Sequence, residues 1–239
     1  MIGKAQRELV WNVLEGLQVE FENLDVLEVN CGTGVDAVEF LKRASNVTAT
    51  DISSEMIDVC RSRMESLDNV TLEVLDVKKL TAEGPNYDMI FSNFGGLNCL
   101  DSNELSNFLR TSKQRLKPNG LVVLVIMPRY CIWEMIYFLA KFSPRKAFRR
   151  LNRNGVLANV DGVKVRTYYH NPQHVQSLSG MKLKSISPIG FKVPPSYLED
   201  RYKSAPAILD KWLEWDKTRY ENKKYASFSD HYCIVLEKL

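Results

Sequence analysis

The run Val26-Leu27-Glu28-Val29-Asn30-Cys31-Gly32-Thr33-Gly34 constrains this chain more than any other stretch. An apolar strand ends beside an acidic residue and passes through a small-residue loop into a helix. Such loops turn main-chain N–H groups toward a ligand, and glycine lets the backbone approach where a Cβ would clash. Gly32-x-Gly34-x-x-Ala37 also satisfies a general dinucleotide pattern, so the loop points to a nucleoside cofactor without choosing one.

The first half alternates strand and helix patterns, which predicts a parallel sheet covered by helices. A helix over 5–17 precedes a strand over 25–29, a helix over 35–44 and a strand over 47–50 that ends at Asp51. Ser53 or Ser54 can cap a helix with Met56, Cys60 and Met64 on one face. Val70, Leu72 and Val74 alternate as a third strand before Asp76, and 87–93 forms a fourth. Asp101 and Glu104 read as a capping box, 117–120 as a turn, and 121–127 as a fully apolar, central fifth strand. Beyond it come an aromatic helix over 131–142, a basic run over 141–153 that reads as a solvated helix face, and a hairpin turn at Val160-Asp161-Gly162-Val163. A helix near 173–178, a strand near 182–189, a helix over 207–220 and a last strand at 231–237 complete the pattern.

At 239 residues, 45% hydrophobic and 26% charged, the chain fits one ordinary globular domain. A net charge of +3 is too mild to imply nucleic acid. No signal peptide or membrane-length apolar run is present, so a cytoplasmic protein with no membrane partner is expected. The five dispersed cysteines lack a C-x-x-C pair and suggest reduced thiols, with neither a disulfide frame nor a metal site.

Five residues then stand at successive strand ends: Glu28, Asp51, Asp76, Asn93 and Met127. In an open parallel sheet these ends share one edge. A carboxylate at Asp51, about 20 residues past the loop, can accept from both hydroxyls of a ribose, and one at Asp76 from an adenine amino group. Glu28 adds a negative field suited to a cationic ligand.

On these stretches the chain resembles the class I S-adenosylmethionine-dependent methyltransferase family. The likeness runs over 20–127 and rests on the loop at 26–34, Ala49-Thr50-Asp51-Ile52-Ser53-Ser54-Glu55-Met56, Leu75-Asp76-Val77, and Tyr87-Asp88-Met89-Ile90-Phe91-Ser92-Asn93. The resemblance implies a seven-stranded Rossmann-like α/β sheet, six strands parallel and the last antiparallel, with helices on both faces. It implies that Glu28, Asn30, Cys31, Gly32, Thr33 and Gly34 hold the methionine portion of S-adenosylmethionine. Asp51 would hold the ribose, Asp76 and Val77 the adenine, Ile52 and Met56 would add further cofactor contacts, and Asn93 and Phe94 would border the methyl group. The product would be S-adenosylhomocysteine. Asn30 stands where the family usually has glycine, and asparagine tolerates the same positive φ.

In this fold the segments 129–171 and 191–230 are expected to form a substrate lid. They hold 16 of the 24 aromatic residues, which suits an acceptor pocket drawn from Tyr130, Trp133, Arg149, Tyr168 and Tyr197. His231, beside Asp230 at the start of the last strand, is the candidate general base; His170 and His174 are further candidates. The expected activity is methyl transfer to oxygen or nitrogen of a small or medium-sized acceptor. The alternatives are an RNA or carrier-bound acceptor served by the basic run, an NAD(P)-dependent oxidoreductase, and a non-catalytic S-adenosylmethionine-binding module. The prolines of DNA amino-methylating enzymes are missing after Asn93, so nucleic acid is not the expected partner.

Overall fold

Runs of β-branched and other apolar residues form the strands, and the helices that begin at Ser54 and Ser102 start on the side-chain caps Ser53 and Asp101. The computed structural model describes residues 1–43, 45–160 and 162–239. In chain order these form α1 (Ile2–Gly16), β1 (Asp25–Val29), α2 (Val35–Lys42), β2 (Asn46–Asp51), α3 (Ser54–Arg63), β3 (Val70–Val74), β4 (Tyr87–Ser92), α4 (Ser102–Arg115) and β5 (Leu116–Ile126). There follow α5 (Ile132–Ala140), α6 (Pro144–Ala147), β6 (Val156–Val160), β7 (Val163–Thr167), α7 (Pro172–Ser179), β8 (Lys182–Ile189), α8 (Glu199–Tyr202), α9 (Pro206–Lys217), α10 (Lys223–Ala226) and β9 (His231–Glu237). The expected helix end at Ala44 and the hairpin-turn residue Asp161 lie outside the described residues.

The seven-stranded sheet runs β3-β2-β1-β4-β5-β9-β8. Six strands are parallel and one is antiparallel, as expected. β1 pairs in register with β2 (Glu28 opposite Ala49) and with β4 (Glu28 opposite Phe91), and β2 pairs with β3 (Asp51 opposite Val74). β6 and β7 pair separately as an antiparallel hairpin.

β3 forms over Val70–Val74 as expected and is the edge strand, with Val74 59% exposed. One local expectation needs correction. Residues 117–120 do not separate helix from strand, because β5 already starts at Leu116. Leu116 lies opposite Tyr87 and Leu121 opposite Met89, so the intervening residues bulge out of the ladder, with Asn119 at φ 61°.

The chain divides into two compact units. One comprises Glu20–Leu124, Gln176–Lys184 and Val235–Leu239. Its interior includes Val26, Val29, Phe40, Ala49, Ile90, Phe91 and Leu109, each at most 1% exposed. Phe40 and Phe91 meet edge to face at 5.1 Å. The other comprises Met1–Val19, Val125–Val175 and Ser185–Ile234, and so contains both segments expected to act as a lid. In it α1 packs against α9, with Lys217 reaching Glu8 at 2.6 Å.

Candidate functional site

In the first unit, positive φ angles shape the loop after β1: Asn30 at 57°, Gly32 at 55° and Gly34 at 70°. Asn30 therefore takes the left-handed conformation in which asparagine is one of the few tolerated side chains. It lies against Gly96, where a Cβ would stand 2.7 Å from the Asn30 Cβ. The two loop glycines serve different purposes. A Cβ at Gly34 would meet Met64 Cε at 2.4 Å and Cys60 Sγ at 2.8 Å, so the C-terminal end of α3 and the residue after it crowd that position. A Cβ at Gly32 would enter open space.

The loop is tied to the next strand end. Cys31 N–H donates to Thr50 O at 3.0 Å, and Gly32 N–H donates to Asp51 Oδ2 at 2.9 Å. Asp51 Oδ1 accepts from Ser53 N–H at 3.0 Å, and Ser53 Oγ caps α3 by accepting from Met56 N–H at 3.2 Å. The two thiols beneath the loop, Cys31 and Cys60, lie 3.8 Å apart. Their contact, burial and the charge of Glu28 push the Cys31 thiol up, keeping it protonated at neutral pH.

The remaining strand ends carry the other expected residues. Glu28 is buried at 2% exposure, whereas Ile52 beside Asp51 is 63% exposed, a large apolar side chain presented at a strand end. Met56 is half-buried. Asp76 Oδ1 accepts from Lys78 N–H at 3.0 Å, capping the short turn at Val77. Asn93 is committed on both sides: Nδ2 donates to buried Asp36 at 2.9 Å and Oδ1 accepts from Phe94 N–H at 2.7 Å. Asp36, which holds the candidate residue Asn93, is one that sequence reasoning passed over. Its partner is 57 positions away, and its only local signal is an acid in the first turn of α2.

The second unit holds the expected acceptor residues. Tyr130 is 37% exposed and meets Phe228 at 5.9 Å, while Tyr197 is 47% exposed and meets Tyr137 at 6.1 Å. Tyr168 borders Gly155, where a Cβ would stand 3.0 Å from its ring. Trp133 spends its indole N–H on Phe191 O and Lys192 O, at 3.1 and 3.2 Å, and packs on Trp212 at 5.5 Å.

The basic run departs from a solvated helix face. Arg150 is only 5% exposed, bonded to Glu134 at 2.9 Å and to Asp230 at 2.8 Å, while Arg149 Nε donates to the other oxygen of Glu134. Asp230 also accepts from Gln6 at 3.0 Å and stands 3.3 Å from His231 Nδ1. Burial opposes its charge, but His231 and Arg150 hold Asp230 well below the usual carboxylate range.

A family profile described as "Methyltransferase domain" matches residues 26–120. The fold matches an S-adenosylmethionine-dependent methyltransferase from Mesorhizobium loti with a TM-score of 0.63 at 14% identity, over 96% of this chain and 97% of that one. Residues 26–120 match a methyltransferase-domain family, and the sheet has the class I methyltransferase fold.

Two curated relatives resemble the domain at lower coverage. Malonyl-[acyl-carrier protein] O-methyltransferase 2 of Ilyobacter polytropus is 29% identical over 125 residues, 52% of this chain and 47% of that protein. Demethylmenaquinone methyltransferase of Staphylococcus aureus is 28% identical over 141 residues, 56% and 57% of the two chains. This chain spans about half the length of these relatives, and only 5% of a matching non-reducing polyketide synthase from Penicillium brasilianum.

The cofactor of this family is S-adenosylmethionine, and the residues of the methyltransferase domain fit it. Open space lies before Gly32, and Asn30 Oδ1 is buried with no hydrogen-bond donor among the described residues. Exposed Ile52 and half-exposed Phe94 offer apolar surface suited to a base and a thioether. A buried acceptor and a bare stretch of backbone both suit a ligand that brings its own donors.

Proposed function

We propose that this chain transfers the methyl group of S-adenosylmethionine to an oxygen or nitrogen of a small or medium-sized acceptor. The observation that carries this reading is the coupling of the Gly32 loop to Asp51, with Asp76, Val77, Asn93 and Phe94 at the following strand ends of the same unit. Glu28, Asn30, Cys31, Gly32, Thr33 and Gly34 would hold the amino-acid end of the cofactor. Asp51 would hold the ribose, with Ile52 and Met56 as further cofactor contacts, and Asp76 with Val77 the adenine. Both Asp51 oxygens already accept one N–H each, and the remaining lone pairs are available to the two ribose hydroxyls.

When bound, the cofactor supplies an activated methyl group on a cationic sulfur. The protein's part is to hold donor and acceptor in line and keep water out. Tyr130, Arg149, Tyr168 and Tyr197 are assigned to the acceptor, with Trp133 as a packing support. His231, held beside Asp230, would take the proton of an acceptor that carries one. The two segments 129–171 and 191–230 would act as acceptor-binding insertions within a single methyltransferase domain, and the five free cysteines fit a cytoplasmic setting.

Calorimetric titration with S-adenosylhomocysteine and with NAD(H) tests the cofactor assignment: the thioether should bind and the dinucleotide should not. Incubation of the protein with labelled donor and a fractionated metabolite extract should then yield a labelled small molecule. Binding of NAD(H) alone would overturn the proposal. Cofactor binding without any labelled product would favour the non-catalytic module.

A further inference from the structure

The helix α5 reverses the usual distribution of polarity. Its one carboxylate, Glu134, is 1% exposed, while Ile132, Ile136 and Leu139 are 38%, 60% and 45% exposed. Their spacing of four and three places them on one stripe of the helix. The stripe leads into a turn in which Phe142 N–H bonds to Leu139 O at 2.9 Å, and Phe142 itself is 94% exposed at φ 53°. A phenylalanine presented in this way, in a backbone conformation unfavourable to it, calls for a partner that buries it.

The charge around the stripe says what that partner is. Residues 131–153 carry six cations and one carboxylate, and that carboxylate is the buried Glu134, held by Arg149 and Arg150. Lys141, Arg145 and Lys146, beside Phe142, are all exposed. The exposed part of this surface is four apolar side chains bordered by cations, with no exposed carboxylate between residues 131 and 153. An apolar stripe with cations along its border is the composition of a helix that lies in a lipid interface. Either feature alone gives weak, reversible attachment, and the two reinforce each other.

We propose that α5 and the turn after it dock on an anionic phospholipid surface. Ile136, Leu139 and Phe142 enter the boundary between headgroups and acyl chains, and Lys141, Arg145 and Lys146 pair with lipid phosphates. This is a surface contact; no helix among the described residues is long and apolar enough to cross a membrane. The proposal is independent of methyl transfer, because lipid binding is read without any activity.

The test is flotation of the full chain with vesicles of phosphatidylcholine, with and without phosphatidylglycerol. The protein should float with the anionic vesicles, remain behind with the neutral ones, and be released by salt. The double variants Ile136→Ser/Phe142→Ser and Arg145→Glu/Lys146→Glu should each weaken vesicle binding about tenfold or more. Ile208→Ser, at a 44% exposed position on α9, should change nothing. Thermal unfolding and circular dichroism of all three variants would separate lost docking from lost folding. Failure to float with anionic vesicles overturns the proposal, as does flotation of folded double variants equal to that of the parent chain. It is also overturned if Arg145→Glu/Lys146→Glu reduces binding to an acidic carrier protein while vesicle binding stays intact.

Discussion

The main-chain N–H of Gly32 donates to the carboxylate of Asp51 at 2.9 Å, which joins the loop after β1 to the end of β2. The acid assigned to the ribose is therefore also the residue that sets the loop assigned to the methionine portion. Changes at either position should act on the whole cofactor site.

Asp51→Asn replaces one acceptor oxygen with an N–H donor, which either faces the Gly32 or Ser53 N–H group or reaches toward the ribose. Hydrogen bonds to charged groups are worth about 1.5–3 kcal/mol, so affinity for S-adenosylhomocysteine should fall about tenfold or more. Calorimetry of the variant checks this, and an unchanged dissociation constant would remove Asp51 from the site.

The two loop glycines should separate stability from binding. Gly34→Ala adds a Cβ 2.4 Å from Met64 Cε at positive φ, and should cost about 2 kcal/mol or more in unfolding experiments. Gly32→Ala adds a Cβ in open space and should cost only the conformational strain, about 1 kcal/mol. Its cofactor affinity should nevertheless drop sharply, because the Cβ occupies space assigned to the ligand.

Arg150 bridges the buried acids Glu134 and Asp230. Arg150→Met would leave Asp230 without its guanidinium in a dry site, and removal of one partner from such a network costs about 3–5 kcal/mol. Arg150→Lys should restore little of this, because one ammonium cannot reproduce the forked contacts. Denaturant unfolding of the two variants provides the measurement.

Asp216 has the opposite pH behaviour to Asp230. Burial pushes its carboxyl up to about 6, against hydrogen bonds from the N–H groups of Lys192 and Val193. A raised carboxyl binds its proton more tightly in the folded chain than in the unfolded one. Its contribution to stability is therefore full below the ordinary carboxylate range and declines as pH rises toward about 6. The destabilisation caused by Asp216→Asn should be larger at about pH 4.5 than at pH 7. An equal cost at both values would refute the raised value.

Much of the first unit was legible because its signals are local. Ser53 caps α3, and Asp101 with Glu104 forms the capping box of α4, both within one helical turn. The strand ends at Asp51 and Asp76 follow from short apolar runs and chain order. The edge position of β3 was less accessible: alternation in Val70, Leu72 and Val74 states that one face is apolar, while only sheet order determines whether anything covers it.

By itself the sequence determined the alternating strands and helices, the positive-φ tolerance of Asn30, and the placing of an acid at the end of each of the first three strands. All of these depend on residues within a few positions of each other. The tertiary structure alone decided that Gly34 is crowded by Met64 and Cys60, that Asn93 is held by Asp36, and that Arg150 leaves its basic run to bridge Glu134 and Asp230. These choices join residues 16 to 80 positions apart, and burial in a low-dielectric interior gives them their energy. A cation in a row of cations carries no local sign of which one will be buried.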